Sequence, residues 1–217
     1  MTALETPDDY VVLENEVSNL LWQWILWKKL FLDEQTVDTL NQCAPSAFAT
    51  IQESLLDGIF IILFRLIADK NGKSLTIKSL VTQTTEPEVN KQLSESHQRL
   101  QHMVLDVVTH RHKRIAHLDE STAHCHKRKI PAKVLPQVTI RDIDLILSEL
   151  QQFMNAVSRA RDGSVNLNWE VVADGDGDDL LICLRDGLRY DHLRRLVDMG
   201  TSPLEIIQEI KTSSSAG

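Results

Sequence analysis

Side chains that can move protons and bind anions are concentrated in one short segment, His110 to Asp119, which reads HRHKRIAHLD. His110, Arg114 and His117 follow i, i+4, i+7 spacing, so on an α-helix they share one face. Clustered cations repel one another, which favours neutral imidazole near pH 7. A neutral imidazole can take a proton from a ribose 2′-hydroxyl, while a guanidinium stabilises charge on the attacked phosphate. These groups suffice for RNA cleavage without a metal, by a route to which DNA is inert.

Arg111 is the anomalous member of this segment, because it interrupts an apolar stripe. At helical spacing the stripe contains Leu100, Val104, Val107, Ile115 and Leu118. Burying an unpaired guanidinium is costly, so Arg111 must be paired or must face a wet interface or a ligand site. The competing interpretation is a solvated helix face with histidines that satisfy local hydrogen bonds.

The charge of the chain is uneven along its length. The net charge of −8 argues against a protein that coats nucleic acid indiscriminately. Residues 91–133 contain nine Lys and Arg against four Asp and Glu, together with seven of the eight histidines. That balance of +5 leaves −13 for the rest of the chain. A basic segment on an acidic body predicts one anion-facing surface.

Helical periodicity dominates the first third of the chain. The first helix carries its apolar face on Leu13, Val17, Leu20, Trp24, Trp27 and Phe31, which predicts packing in a core or a dimer interface. Asp33 is a predicted N-cap for a short helix that reaches Cys43, and Pro45 suits the first turn of the next. That helix, to about Asp69, is apolar on nearly every face, which predicts a position at the centre of a bundle.

The reactive segment lies between two further predicted helices. A long helix runs from Pro87 to Arg111, after a short one at about 77–84. Thr139 and Asp142 form a predicted capping box at the start of a strongly amphipathic helix. Its apolar stripe is Ile143, Ile146, Leu147, Leu150, Phe153, Met154 and Val157.

The C-terminal part of the chain has a weaker pattern. Residues 166–173 fit a strand or an extended linker, and a helical pattern covers 180–188. We predict an all-α architecture in which a bundle of four to five helices occupies residues 8–162. A linker, short C-terminal helices and a frayed tail, residues 163–217, form a small helical extension.

Three sequence words, taken in order, resemble the AbiU-type branch of the HEPN superfamily, which is associated with bacterial abortive infection. They are Leu40–Phe48 (LNQCAPSAF), Arg65–Asp69 (RLIAD) and Arg111–His117 (RHKRIAH). The last word is similar to the HEPN signature, an Arg followed by a polar residue and then, a few positions later, a His. The short motif alone is a weak signal, and the ordered set on a predicted helical bundle is a stronger one. The resemblance covers roughly residues 20–160.

The resemblance implies a bundle that dimerises, so that two motifs face a shared cleft. In active members the Arg and His act on RNA and leave a cyclic phosphate. Carried over, Arg111 would stabilise the phosphorane, His117 would be the general base or acid, and His112 would take the orienting position, where Asn is commoner. Many HEPN proteins have lost activity, so the competing expectation is a non-catalytic module that binds RNA, nucleotide or a protein partner.

Five further residues are predicted to support the site or to bind RNA. His110, Lys113 and Arg114 belong to the same cationic cluster. Arg65 and Asp69 are four residues apart and form a predicted helix-face ion pair. This pair would orient the bundle as a buried pair, or would support the geometry of the two catalytic residues.

Metal sites are the weaker alternatives, and we expect neither a metal nor a cofactor. His117, His124, Cys125 and His126 suggest zinc, but the adjacent Cys and His cannot easily both bind one ion, and no second pair lies at finger spacing. The acidic run 174–179 fails the EF-hand pattern, so an acidic turn that caps the following helix is the better interpretation.

Expected partners are RNA, a second copy of the chain, and an antitoxin protein in a toxin–antitoxin setting. No membrane partner is expected, because the most apolar stretch, Ile59–Ile67, is too short to span a bilayer and contains Arg65. Three widely spaced cysteines and an N-terminus without a readable secretory signal predict a cytoplasmic location.

Overall fold

The computed structural model describes residues 8–69, 74–116, 136–163, 176–205 and 207–208. Helices dominate these ranges and no strand occurs in them, which confirms the all-α prediction. The helices are α1 (Asp9–Phe31), α2 (Glu34–Cys43), α3 (Pro45–Leu63), α4 (Ile77–Gln83), α5 (Pro87–Met103), α6 (Leu105–His110), α7 (Ile140–Asp162) and α8 (Gly177–Asp198). Two π-helical segments, π1 (Phe64–Ala68) and π2 (Arg111–Ala116), continue α3 and α6.

The helix starts follow the local capping chemistry. Asp33 caps α2 by accepting a hydrogen bond from the Thr36 backbone N–H at 2.8 Å. Thr139 and Asp142 form the reciprocal capping box that opens α7. Gly163 follows α7 with φ of 71°, a left-handed conformation that glycine adopts without steric cost.

The chain divides into two compact units, Met1–Ile25 with Glu53–Val171 and Leu26–Gln52 with Val172–Gly217. Helices α1 and α3 contribute to both. The predicted domains, 8–162 and 163–217, were drawn from sequence patterns and stay a prediction. The two compact units are defined by contacts between helices. In the second unit, for example, α8 packs against α2.

The first unit has a core drawn from α1, the end of α3 and the helices α4 to α7. Each residue of the predicted α7 stripe is buried, which confirms it. In α1 the residues Leu13, Val17, Leu20 and Trp24 are buried, so Trp24 is a core residue. Its indole N–H donates to Asp144 at 2.7 Å, which satisfies the polar edge of the ring.

The second unit has a small core of Leu30, Leu40 and Leu181, with Leu26, Phe31, Phe48 and Leu184 packed against it. Lys29 pairs with Asp176 at 2.6 Å and also with Asp178, at the first turn of α8. Asp176 is the N-cap of α8, which confirms that the acidic turn caps this helix. Helix α8 extends beyond the predicted 180–188. Its second half is largely exposed and therefore lacks the apolar period on which the prediction depended.

The structure corrects two predictions about helices. Helix α3 was expected at the centre of a bundle, but burial is confined to its second half, and Ile51 is 41 % exposed. The helix predicted from Pro87 to Arg111 is interrupted by a turn at Val104, whose backbone angles (φ −86°, ψ 4°) leave the α-helical range. Apolar periodicity predicts neither the exposure of the first half of α3 nor the break at Val104. Val104 stays buried, so the apolar pattern continues across the break.

The continuous helix Pro45–Ala68 has 24 residues and a mean hydropathy of 1.6 in its most apolar stretch. By length and composition alone it is capable of crossing a membrane, whereas the shorter stretch Ile59–Ile67 is not. Core helices of soluble proteins pass the same test, so the finding is weak evidence. The absence of a membrane partner stays a prediction.

Candidate functional site

A cleft of about 620 Å³ opens in the first unit, where π1, α5, α6 and the start of π2 meet. Four apolar and five polar or charged side chains form its walls. Binding sites combine apolar walls with polar groups that orient a ligand, and this cleft has an unusually large polar share. The residues that line it are Phe64, Ala68, Asp69, Gln101, His102, Leu105, Val108, Arg111 and His112. Two of the three predicted catalytic residues, Arg111 and His112, therefore lie at one cavity.

Arg111 is the first residue of π2 and is half-buried. The centre of its guanidinium lies 4.4 Å from the centroid of the Phe64 ring, within the range of a cation–π interaction. No carboxylate among the described residues forms an ion pair with it. Of the alternatives open from the sequence, the structure favours a guanidinium at a ligand site, resting on an aromatic ring.

His112 is exposed, and its ring stands edge-on to Phe64, with centroids 5.4 Å apart and an interplanar angle of 85°. Its Nδ1 lies 3.3 Å from Nη1 of Arg111. A guanidinium can only donate, so Nδ1 accepts in this contact and the ring proton is carried on Nε2. This arrangement suits His112 to donating a hydrogen bond through Nε2, as an orienting residue would.

The AbiU2 model of the HEPN superfamily matches residues 8–180, a range that includes α1 to α7, both π segments and the start of α8. The chain belongs to the AbiU2 family of HEPN proteins. This confirms the resemblance carried by the three sequence words. No curated protein and no solved structure matches the chain. The family is associated with abortive infection, and the chain is a HEPN module of that kind.

In this AbiU2 protein His110 has a different environment from that of its neighbours. Its Nε2 lies 2.7 Å from the carbonyl oxygen of Pro136, to which it donates, and its ring contacts Phe60 at 5.6 Å between centroids. The bond joins the end of α6 to the residue four positions before α7 begins. His110 is not among the residues that line the cleft, and its predicted contact with RNA stays a prediction.

The other cationic residues of the motif are only partly described. Lys113 is half-buried in π2 and is not among the residues that line the cleft. The Arg114 side chain and His117 lie outside the described residues. The pairing of Arg111 with His117 therefore stays a prediction. The backbone of π2 bonds i to i+5, so the α-helical spacing assumed for the predicted face is not the spacing of this segment.

Arg65 and Asp69 have separate partners where the sequence predicts one helix-face pair. Arg65 is exposed and pairs with Glu16 of α1. Asp69 lines the cleft and accepts a hydrogen bond from the Ser74 hydroxyl at 2.5 Å. The cause is π1, because its extra residue and the extended backbone of Asp69 (φ −67°, ψ 123°) take position 69 off the helix face.

Phe64 is one of the cleft residues that the sequence did not indicate, and among them it is the one that contacts both Arg111 and His112. A phenylalanine on an apolar helix is expected in the core, and the residues around Phe64 do not predict a π turn. One signal was available: Phe60 and Phe64 are four residues apart, as a pair that can contact a second helix. They meet His110 and His112 respectively.

Metal ligation has no support among the side chains that the structure places. No group of three or more His, Cys, Asp or Glu residues within those ranges is arranged to hold an ion. The four residues of the zinc alternative, His117, His124, Cys125 and His126, lie outside them. The expectation of a site without a metal stays a prediction.

Proposed function

We propose that this AbiU2 protein is a metal-independent endoribonuclease that acts in bacterial defence or in a toxin–antitoxin system. The observation that carries the proposal is the Arg111 guanidinium at the cleft, which has an aromatic ring beneath it and no carboxylate partner among the described residues. A carboxylate would neutralise the cation and occupy its donors. An aromatic ring leaves the charge and most donors available for a phosphate.

The proposed reaction is an internal transesterification. The ribose 2′-oxygen attacks the adjacent phosphorus while His117 takes its proton as general base. The bond from phosphorus to the 5′-oxygen breaks, and that oxygen takes up a proton from water, while His117 returns its proton to solvent. The products are a 2′,3′-cyclic phosphate and a 5′-hydroxyl. Arg111 would stabilise the phosphorane, and the Nε2–H of His112 would orient a phosphate oxygen.

The family resemblance supports a second copy of the chain in this proposal. Two motifs facing a shared cleft would supply more than one set of Arg and His to one RNA strand. Localisation in the cytoplasm, a homodimer and an antitoxin partner are parts of the same proposal. Cell fractionation tests the localisation, the mass of the protein in solution tests the homodimer, and co-purification tests the antitoxin partner.

A paired set of variants tests the role of Arg111. In Arg111→Ala the rate of RNA cleavage should fall by roughly 10²- to 10³-fold, the loss typical of one donor to a developing oxyanion. Arg194→Ala removes the same charge from an exposed position on α8 and should cleave like the wild type. Equal rates for the two variants, with RNA as substrate, would contradict the proposal.

Substrate chemistry separates cleavage from mere binding. An all-deoxy strand of the same sequence should remain intact, because it has no 2′-hydroxyl. Wild-type protein that binds the RNA without cleaving it would instead support the non-catalytic HEPN module. His117→Ala should lose cleavage while it keeps RNA binding, since the imidazole is assigned to proton transfer.

A further inference from the structure

Phe64 contacts both of the described residues that the proposed reaction needs. Its ring lies beneath the Arg111 guanidinium at 4.4 Å, and the His112 ring meets it edge-on at 5.4 Å. The same two residues contact each other through Nη1 and Nδ1. The three side chains therefore form a closed set of contacts on the cleft wall.

The position of Phe64 is fixed by the π turn that it begins. The backbone N–H of Asp69 donates to the Phe64 carbonyl at 3.0 Å and closes this turn. Two residues inside the turn, Leu66 and Ile67, are 1 % and 2 % exposed, so the turn is anchored in the core of the first unit. His97 of α5 also hydrogen-bonds to the backbone of Ile67. The ring is thus held before any ligand arrives.

An aromatic ring orients a guanidinium differently from an acid. The ring attracts the cation through its π face, whereas the N–H donors of the guanidinium point outward in its own plane. One donor reaches His112, and within the described residues the others have no acceptor and can bind a phosphate. The π1 turn ends the helix that α3 begins and packs against α6, which leads into π2.

We propose that Phe64 is a positioning residue that holds Arg111 and His112 in the geometry for phosphate attack. The proposal rests on the proposed ribonuclease function, in which these two side chains act on the phosphate. Phe64 touches no reacting atom and acts through the two residues that do.

The activity test compares two replacements at one position. Phe64→Leu keeps an apolar side chain but removes the π face, and Phe64→Tyr keeps the face. We expect Phe64→Leu to lower kcat by roughly 10- to 100-fold with a smaller change in KM, because misplacing catalytic groups by about 1 Å has effects of that size. Phe64→Tyr should restore most of kcat. Phe153→Leu, the same substitution at a fully buried α7 residue, controls for general destabilisation and should keep kcat.

A second measurement does not depend on activity. The Arg111 side-chain Nε–H resonance, assigned by its loss in Arg111→Lys, should move downfield in Phe64→Leu as the ring current disappears. It should return close to its wild-type position in Phe64→Tyr. An unchanged resonance in Phe64→Leu would overturn the proposal, as would a moved resonance with unchanged kcat in an active enzyme.

The two measurements separate the two proposals. If the wild type cleaves no RNA, both the ribonuclease function and the positioning role that rests on it fail, and the resonance then reports only whether the Phe64 ring lies against the Arg111 guanidinium. If the wild type cleaves RNA and Phe64→Leu, Phe64→Tyr and Phe153→Leu have the same kcat, the ribonuclease function stands and the role of Phe64 is refuted.

Discussion

Replacing His97 should alter both the stability of the first unit and its dependence on pH. His97 is a buried residue of α5, 8 % exposed, and its side chain hydrogen-bonds to the backbone of Ile67 in π1. Burial lowers the pKa of His97 below its usual 6.5, the positive charge of Lys78 adds to this, and the bond to Ile67 opposes it. His97 is therefore predominantly a neutral donor at neutral pH.

The magnitude for His97→Leu follows from the carbonyl that loses its donor. Leaving a buried acceptor unsatisfied costs about 1–3 kcal/mol, and the added apolar burial of leucine offsets part of that. We expect a net loss of about 1–2 kcal/mol in the free energy of unfolding. His97→Gln retains a donor without a titrating group and should lose less.

The sign of the pH effect follows from proton binding. Because the folded-state pKa lies below 6.5, the unfolded chain binds a proton first as pH falls, so the wild type loses stability below pH 6.5. One group contributes at most about 1.4 kcal/mol per pH unit. His97→Gln lacks this contribution. The stability advantage of the wild type over His97→Gln should therefore shrink between pH 7.5 and pH 5.5, within that limit.

Urea unfolding followed by tryptophan fluorescence at both pH values measures these differences. Each variant is compared with the wild type at equal m-value, so that a change in midpoint reports stability. A difference between wild type and His97→Gln that stays constant, or grows, on acidification would refute the assignment of His97 as a buried neutral donor to π1.

Two further predictions concern the ends of helices. Thr139→Ala removes the acceptor for the Asp142 backbone N–H and should cost about 1 kcal/mol, while Thr139→Ser should be nearly neutral; equal thermal midpoints for the two variants would contradict this. Lys29→Met should destabilise the protein at pH 7, because the Lys29 ammonium donates a hydrogen bond to the Asp176 carboxylate. This bond lowers the pKa of Asp176 below 3.8 and raises the pKa of Lys29 above 10.5. The contribution is present from about pH 4 to pH 10 and is lost as pH falls through the folded-state pKa of Asp176. A Lys29→Met difference in urea midpoint that persists at pH 3 would show that the ion pair is not its cause.

Local chemistry accounts for the parts of the fold that the sequence predicted correctly. The caps at Asp33 and Thr139 and the buried stripe of α7 depend on neighbouring residues along one helix. The exposure of the first half of α3 and the break at Val104 depend on what other elements cover. Apolar composition cannot reveal that, because a side chain that could be buried need not be.

The candidate site was also predictable only in part from local sequence. Arg111 was predictable, because a cation on an apolar stripe needs a partner or a site, and it lies at a cleft. The two π turns were not, since each adds one residue to a turn without a sequence mark. They move Asp69 off the helix face, bring Phe64 beneath Arg111, and end the helical spacing on which the role of His110 was predicted.

We propose that this protein cleaves RNA through attack by the ribose 2′-hydroxyl on the adjacent phosphate, without a metal. The most direct measurement is the end group that purified full-length protein leaves on a single-stranded RNA in excess EDTA, read by mass spectrometry. We predict fragments that end in a 2′,3′-cyclic phosphate, at a rate that EDTA leaves unchanged and that Arg111→Ala reduces roughly 10²- to 10³-fold. Intact RNA in EDTA with cleavage restored by Mg²⁺, or fragments that carry 3′-hydroxyl and 5′-phosphate ends, would contradict the claim.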